Sequence, residues 1–227
     1  MSTPGFRWRS FDVYLFDIDG TLLNSRDGVH YNSFHTALRE VYGCDGRIDN
    51  VPLHGNTDIG ILRAALASHA PHLSGEFEAQ LPRALEMMCA EVERNHEQMH
   101  PKLCPCVPEI LAELSKSGKL LGVVTGNLER IGWRKLGRAG IRQYFQLGSF
   151  SDHHEKREDI FRHGVEQARA IRGPATSVCF VGDTPADILA AAGIGMPVIA
   201  VATGIYSREQ LVEHSPPLCI GTLAELL

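Results

Sequence analysis

Residues 13–16 read Val-Tyr-Leu-Phe, and two carboxylates one residue apart, Asp17 and Asp19, follow directly, with Gly20 and Thr21 behind them. A short apolar run of this kind predicts a strand buried on both faces. In an open parallel sheet the carboxyl ends of such strands are where ligand sites form. Side chains alternate in extended chain, so Asp17 and Asp19 leave the strand on the same side, unless the turn at Gly20 re-aims the second. Two anions this close repel each other unless a cation or a proton lies between them. A strand-end cap or Asx turn would need only one of them.

The same arrangement recurs along the chain. Thr125 follows the apolar run at 120–124 and Asp183 follows Phe180-Val181-Gly182, so each falls at the end of a predicted strand and all three residues line one edge of a sheet. Helical patterns at 108–117, 128–139, 158–171 and 187–192 lie between and after these strands and are short enough for right-handed crossovers. Strand alternating with helix predicts an α/β fold with a doubly wound parallel sheet, Rossmann-like in its layering.

Between about residues 25 and 103 there is no buried-strand signal. Three helical patterns appear instead, at 31–42, 59–69 and 76–98, rich in Ala, Leu, Glu and Met. An all-helical segment spliced between two strands of one sheet is expected to fold as its own subdomain. The expected division is therefore a core of residues 1–24 and 104–227 and a helical unit of residues 25–103. Thr57 or Asp58 is the expected N-cap of the second helix.

Four segments in order resemble the haloacid dehalogenase-like superfamily. Asp17-Ile18-Asp19-Gly20-Thr21-Leu22 is similar to its first motif, and residues 120–127, ending Thr125-Gly126-Asn127, to its second. Glu155-Lys156-Arg157-Glu158-Asp159 stands where the family has its basic third motif. Gly182-Asp183 and, four residues on, Asp187 are similar to the fourth. The resemblance spans nearly the whole chain outside the insertion, which itself resembles the family's helical cap.

The resemblance implies a phosphatase. Asp17 would be the nucleophile that forms an aspartyl-phosphate. Asp19 would protonate the leaving alkoxide and then activate water. A dehalogenase would not need that donor. Thr125, with backbone N–H groups around Gly126 and Asn127 at a helix N-terminus, would hold the transferring phosphoryl group. The third motif departs from the commonest Lys-Pro-x-Pro form. Members with an Arg before a helix favour Arg157 as the phosphoryl-binding cation, with Lys156 its rival and Lys135 and Arg134 next in line.

The implied cofactor is Mg²⁺, held by the Asp17 carboxylate, the Asp19 backbone carbonyl and Asp183, with Asp187 either a ligand or a support, or simply a helix N-cap. In related caps a Gly-x-Thr-Asp segment faces the core, which makes His54 and Asn56 substrate-binding candidates, with helix capping the competing reading. The implied substrate is a small phosphate monoester, phosphoglycolate-like or sugar-phosphate-like. A sugar phosphomutase would use the same residues, and a non-enzymatic binding module is disfavoured because every motif position keeps its reactive side chain.

Composition narrows the setting. A formal charge of −5 over 227 residues, with 44% hydrophobic and 22% charged residues, is an ordinary globular mixture. With no clustered basic patch, a nucleic-acid partner is not expected. Residues 1–7 lack a signal-peptide apolar core, and the apolar stretch at 190–205 is interrupted by Gly193, Gly195 and Pro197, so no membrane contact and a cytoplasmic location are expected. Cys44, Cys89, Cys104, Cys106, Cys179 and Cys219 match no zinc spacing and are expected to be thiols. His96-Glu97-Gln98-Met99-His100 fits a zinc-peptidase pattern, but Pro101 ends the helix there and no third ligand follows, so the pattern is set aside.

Overall fold

The computed structural model describes residues 5–24 and 28–227. Its centre is a six-stranded parallel sheet. In chain order the strands of the molecule are β1 (Val13–Phe16), β2 (Leu23–Asn24), β3 (Lys102–Leu103), β4 (Leu120–Val124), β5 (Leu147–Ser149), β6 (Val178–Gly182), β7 (Val198–Val201) and β8 (Leu218–Ile220). The sheet runs β5-β4-β1-β6-β7-β8, and β2 and β3 form a separate two-stranded sheet. The first strand is central: it pairs in parallel with β4 on one side and β6 on the other, Phe16 standing level with both Val123 and Val181.

Burial on both faces explains the unbroken apolar runs. Tyr14 and Phe16 point into the layer formed with helix α4 (Val107–Lys116) and helix α5 (Glu129–Arg138). Val13 and Leu15 point into the opposite layer, with α6 (Arg157–Arg172), α7 (Pro185–Gly193) and α8 (Arg208–Val212). The alternation of strand side chains thus feeds two cores from one run of four residues. Helix α6 sits very close to the sheet at Gly164, where a Cβ would meet Val124 Cγ1 at 2.7 Å. That close seat fixes the start of α6, and hence Arg157, near the strand tips.

The segment between β2 and β3 is helical as expected: α1 (Val29–Tyr42), α2 (Asp58–His69) and α3 (Phe77–Asn95). Thr57 is the N-cap of α2, its hydroxyl accepting the Gly60 N–H at 3.1 Å. These helices bury an apolar core of their own, including Phe34, Leu38, Leu62, Phe77 and Met88. Leu128 and Ile131 of the second-motif region join that core, so it is not sealed off from the sheet layer. The antiparallel pair β2 and β3 clamps the two connections together, Leu23 opposite Leu103. The expected boundary at residue 25 and the reading of residues 1–4 lie outside the described residues.

The zinc-peptidase pattern does not assemble. Helix α3 stops at Asn95, His96 enters a single 3₁₀ turn and its Nδ1 lies 2.7 Å from the Glu93 carbonyl oxygen, so the two histidines do not share an α-helical face. All six cysteines are free thiols.

The ring of Phe161 on α6 stacks on Phe180 of β6, centroids 4.3 Å apart. Phe180→Ala is expected to lower the unfolding free energy by about 3–5 kcal/mol through the cavity it leaves, read as a lower urea midpoint with an unchanged slope.

Candidate active site

Three strand tips and one helix start meet at the carboxyl edge of the sheet. Asp17 follows β1, Thr125 follows β4, Asp183 follows β6, and Arg157 is the first residue of α6. Carboxylate oxygens of Asp17, Asp183 and Asp187 lie within 4.8 Å of one another, and all three residues are buried. Arg157 lies among them, its Nη2 3.0 Å from Asp17 Oδ2 and 2.7 Å from Asp187 Oδ1.

Asp187 has both oxygens engaged. Oδ1 takes the Arg157 guanidinium through Nε at 2.8 Å as well, and Oδ2 accepts the Thr184 N–H and hydroxyl, closing a capping box at the start of α7. Its capping role and its place beside the cluster are therefore both realised. Asp183 accepts from the Thr21 hydroxyl at 2.9 Å. Two glycines make room for it: a Cβ at Gly20, whose φ is +89°, or at Gly204 would fall on the Asp183 carboxylate.

Electrostatics follow from this crowding. Burial pushes the Asp17 carboxyl above the usual carboxylate range, opposed by Arg157 and reinforced by the charges of Asp187 and Asp19. Asp183 is raised too, by burial and then by Asp17 and Asp187. Burial works against the charge of Arg157, but Asp187 and Asp17 more than offset it. Carboxylates driven toward protonation by their neighbours are a donor set that a divalent cation would relieve, and all-oxygen donors suit a hard ion. Asp17 and Asp183 fit as its ligands, with Asp187 holding Arg157 and the α7 start.

Asp19 belongs to a different network. Its Oδ2 receives the Lys135 ammonium at 2.6 Å and the Asn127 side-chain amide at 2.8 Å. Burial would raise its carboxyl, but the charge and hydrogen bond of Lys135, then His30 and Asn127, hold it below the ordinary range. Thr125, almost fully buried, accepts from the same amide at 2.8 Å. Lys135 is the residue that the sequence signal underplayed. Its position on the buried stripe of α5, beside Ile131, Gly132 and Leu136, was the available clue, because an unpaired lysine is rarely buried.

The helical insertion closes over this edge. The Asp58 N–H donates to the Gly126 carbonyl at 2.7 Å, while its carboxylate accepts the Leu128 N–H at 2.8 Å and lies 3.1 Å from His30 Nε2. Asp152 accepts the Glu129 N–H. The first N–H groups of α5 thus meet protein carboxylates, while Thr125, Gly126 and Asn127 line the cleft. Gly126 also has a second duty, since a Cβ there would strike the Asn56 carbonyl of the insertion.

His54 and Asn56 both line the cleft. His54 is exposed, whereas the Asn56 side chain bonds its own loop, donating to Pro52 and accepting the Thr57 N–H. Lys156 is exposed and is not among the residues lining the cleft. The cleft, about 270 Å³, runs from the Asp17 and Asp183 edge to an apolar wall that includes Phe34, Ile48, Leu53 and Ile61 of the insertion.

Comparison with known proteins agrees with this architecture. Residues 14–201 match the family model described as haloacid dehalogenase-like hydrolase. The chain is 28% identical to a Dickeya dadantii protein named probable phosphatase IndB, over 95% of this chain and 91% of that protein. It is 29% identical to a Vibrio vulnificus phosphoglycolate phosphatase, over 93% and 92% respectively. The crystal structure of CbbY from Rhodobacter sphaeroides in complex with phosphate superposes with a TM-score of 0.70 at 21% identity, covering 95% of this chain and 96% of that one, a likeness of fold.

The geometry ranks the two basic residues of the third motif. Arg157→Ala is expected to lower kcat/KM for a phosphate monoester by about two orders of magnitude or more, as for loss of a charge-stabilising donor, and Lys156→Ala to cost less than about threefold, as for an exposed charge. Steady-state kinetics at one fixed Mg²⁺ concentration checks the ranking.

Proposed function

Because the chain belongs to the haloacid dehalogenase-like hydrolases and is a phosphatase, we propose that it hydrolyses a small phosphate monoester with Mg²⁺ and passes the phosphoryl group through Asp17. The observation that carries this reading is the placement of Asp17: buried at the tip of the central strand, in the Asp183 and Asp187 cluster, with Arg157 against its carboxylate.

Asp17 attacks phosphorus in line and the ester oxygen leaves, giving an aspartyl-phosphate. Arg157, held by Asp187, sets its guanidinium charge beside the non-bridging oxygens. Thr125 donates its hydroxyl to one of them. Asp19 gives a proton to the leaving oxygen, then takes one from the water that attacks the intermediate and frees Asp17. A divalent cation held by Asp17 and Asp183 would neutralise phosphoryl charge, and Asp19 would contribute its backbone carbonyl.

Residues 25–103 act in this reading as a cap that excludes bulk water from the core of residues 1–24 and 104–227. The cleft admits a phosphoglycolate-like or sugar-phosphate-like ester, with His54 and Asn56 at its cap side. The setting is cytoplasmic, with neither nucleic acid nor membrane as partner. No helix among the described residues is long and apolar enough to cross a bilayer.

Chelation is expected to abolish phosphate release and added Mg²⁺ to restore it, with Asp17→Asn inactive yet folded by circular dichroism. Release of inorganic phosphate in step with ester consumption marks a phosphatase. Formation of an isomeric sugar phosphate without release would mark a mutase instead.

A further inference from the structure

Lys135 has no part in the scheme above, yet it carries a buried ammonium at the edge of the site. Its side chain is 4% exposed, and an ammonium in such a place is stable only when paired and hydrogen-bonded. Both partners are present. Nζ donates to Asp19 Oδ2 at 2.6 Å and to Asn127 Oδ1 at 2.7 Å. Since lysine can only donate, Asn127 must turn its oxygen to Lys135 and its NH₂ the other way. That NH₂ then reaches Asp19 Oδ2 and Thr125 Oγ1, each at 2.8 Å. Thr125 Oγ1 thereby accepts from Asn127, so the hydroxyl proton of Thr125 is left to point elsewhere.

We propose that Lys135 is the positioning residue of this site: it fixes the carboxylate of Asp19 through Oδ2, and by setting the orientation of Asn127 it aims the Thr125 proton at the phosphoryl position. The proposal rests on Asp19 acting at the leaving oxygen. One amine thus orders two reacting groups from two strand tips without touching the substrate. Two bonds to Oδ2 leave Oδ1 as the oxygen that meets the ester, and 43% exposure of the Asp19 side chain keeps it reachable from the cleft. Arg157, against Asp17 and Asp187, already supplies the cation on the phosphoryl side, so the two cations divide their work.

The test compares phenyl phosphate, whose leaving oxygen needs a proton, with p-nitrophenyl phosphate, whose leaving group hardly does, at saturating Mg²⁺. In Lys135→Met, kcat is expected to fall about 100-fold on phenyl phosphate and about tenfold or less on the nitrophenyl ester, within the range for a lost general acid, with KM changed less than about threefold. Lys135→Arg is expected to recover part of the difference between the esters. Asn127→Ala is expected to show the same leaving-group dependence without removing the lysine, which keeps the proposal testable if Lys135→Met does not fold. Equal losses on both esters, or a rise in KM at unchanged kcat, would overturn the proposal by making Lys135 a phosphoryl-binding or merely structural cation. Asp19→Asn run in parallel separates the two levels. If that variant is itself insensitive to the leaving group, the role of Asp19 falls and this proposal with it; if it is sensitive and Lys135→Met is not, only the proposal for Lys135 falls.

Discussion

The buried contact of Arg157 with Asp17 and Asp187 is the interaction on which the rest of the site depends. Asp17, Asp183 and Asp187 are packed within ion-binding distance at one edge of the sheet, an arrangement that would push itself apart if left uncompensated. A guanidinium across two of them offsets the repulsion, and the capping box of Thr184 and Asp187 anchors the assembly to α7. Removing one partner of such a buried pair typically costs about 3–5 kcal/mol. The strand order places this contact where β1 meets both its neighbours, and the close seat of Gly164 on the sheet brings the start of α6 to it. Fold and site are therefore joined at a single side chain.

Two neighbouring carboxylates with two different cations acquire opposite tendencies. Burial raises the carboxyl of Asp17, while Lys135 lowers that of Asp19. A nucleophile and a proton donor need the reverse. Positive charge at the Asp17 cluster and a dianionic ester next to Asp19 would each act in the direction that reverses it. The insertion reaches the same region, because Asp58 hydrogen-bonds Gly126 and Leu128 on either side of Asn127 and the Asn56 carbonyl lies close against Gly126.

Much of this was legible in the sequence, for reasons that differ by element. The strand over residues 13–16 appears with those bounds because a doubly buried strand is a run of apolar residues, and the helices at 31–42 and 59–69 appear within a residue or two because the segment is rich in strong helix formers and lacks a buried-strand run. Strand β5, three residues with Gly148 at its centre, carries too little pattern to register, and β7 was hidden inside a longer apolar stretch that reads as one block. At the site, position at a strand end singled out Asp17, Thr125 and Asp183, whereas Arg157 came from the family resemblance, with Lys156 as its rival. Lys135 lies mid-helix in a basic neighbourhood, where an exposed lysine is the ordinary expectation, and its place on the apolar stripe with Ile131 and Leu136 was the one sign that it faces inward. Asn56 stood as a substrate-binding candidate with helix capping as its alternative; it lines the cleft while its side chain closes its own loop, so the fold alone does not choose a substrate role for it.

The central claim is that Asp17 carries the phosphoryl group. Rapid acid quench of the enzyme during turnover, in Mg²⁺, of p-nitrophenyl phosphate, whose leaving group hardly needs the Asp19 proton, followed by peptide mass spectrometry, tests it directly. The account predicts the mass increment of one phosphoryl group on the peptide containing Asp17, absent in Asp17→Asn and accumulating when hydrolysis of the intermediate is slowed in Asp19→Asn. A phosphoryl group on a different residue, or steady-state turnover with Asp17 unmodified in the Asp19→Asn enzyme, would contradict it.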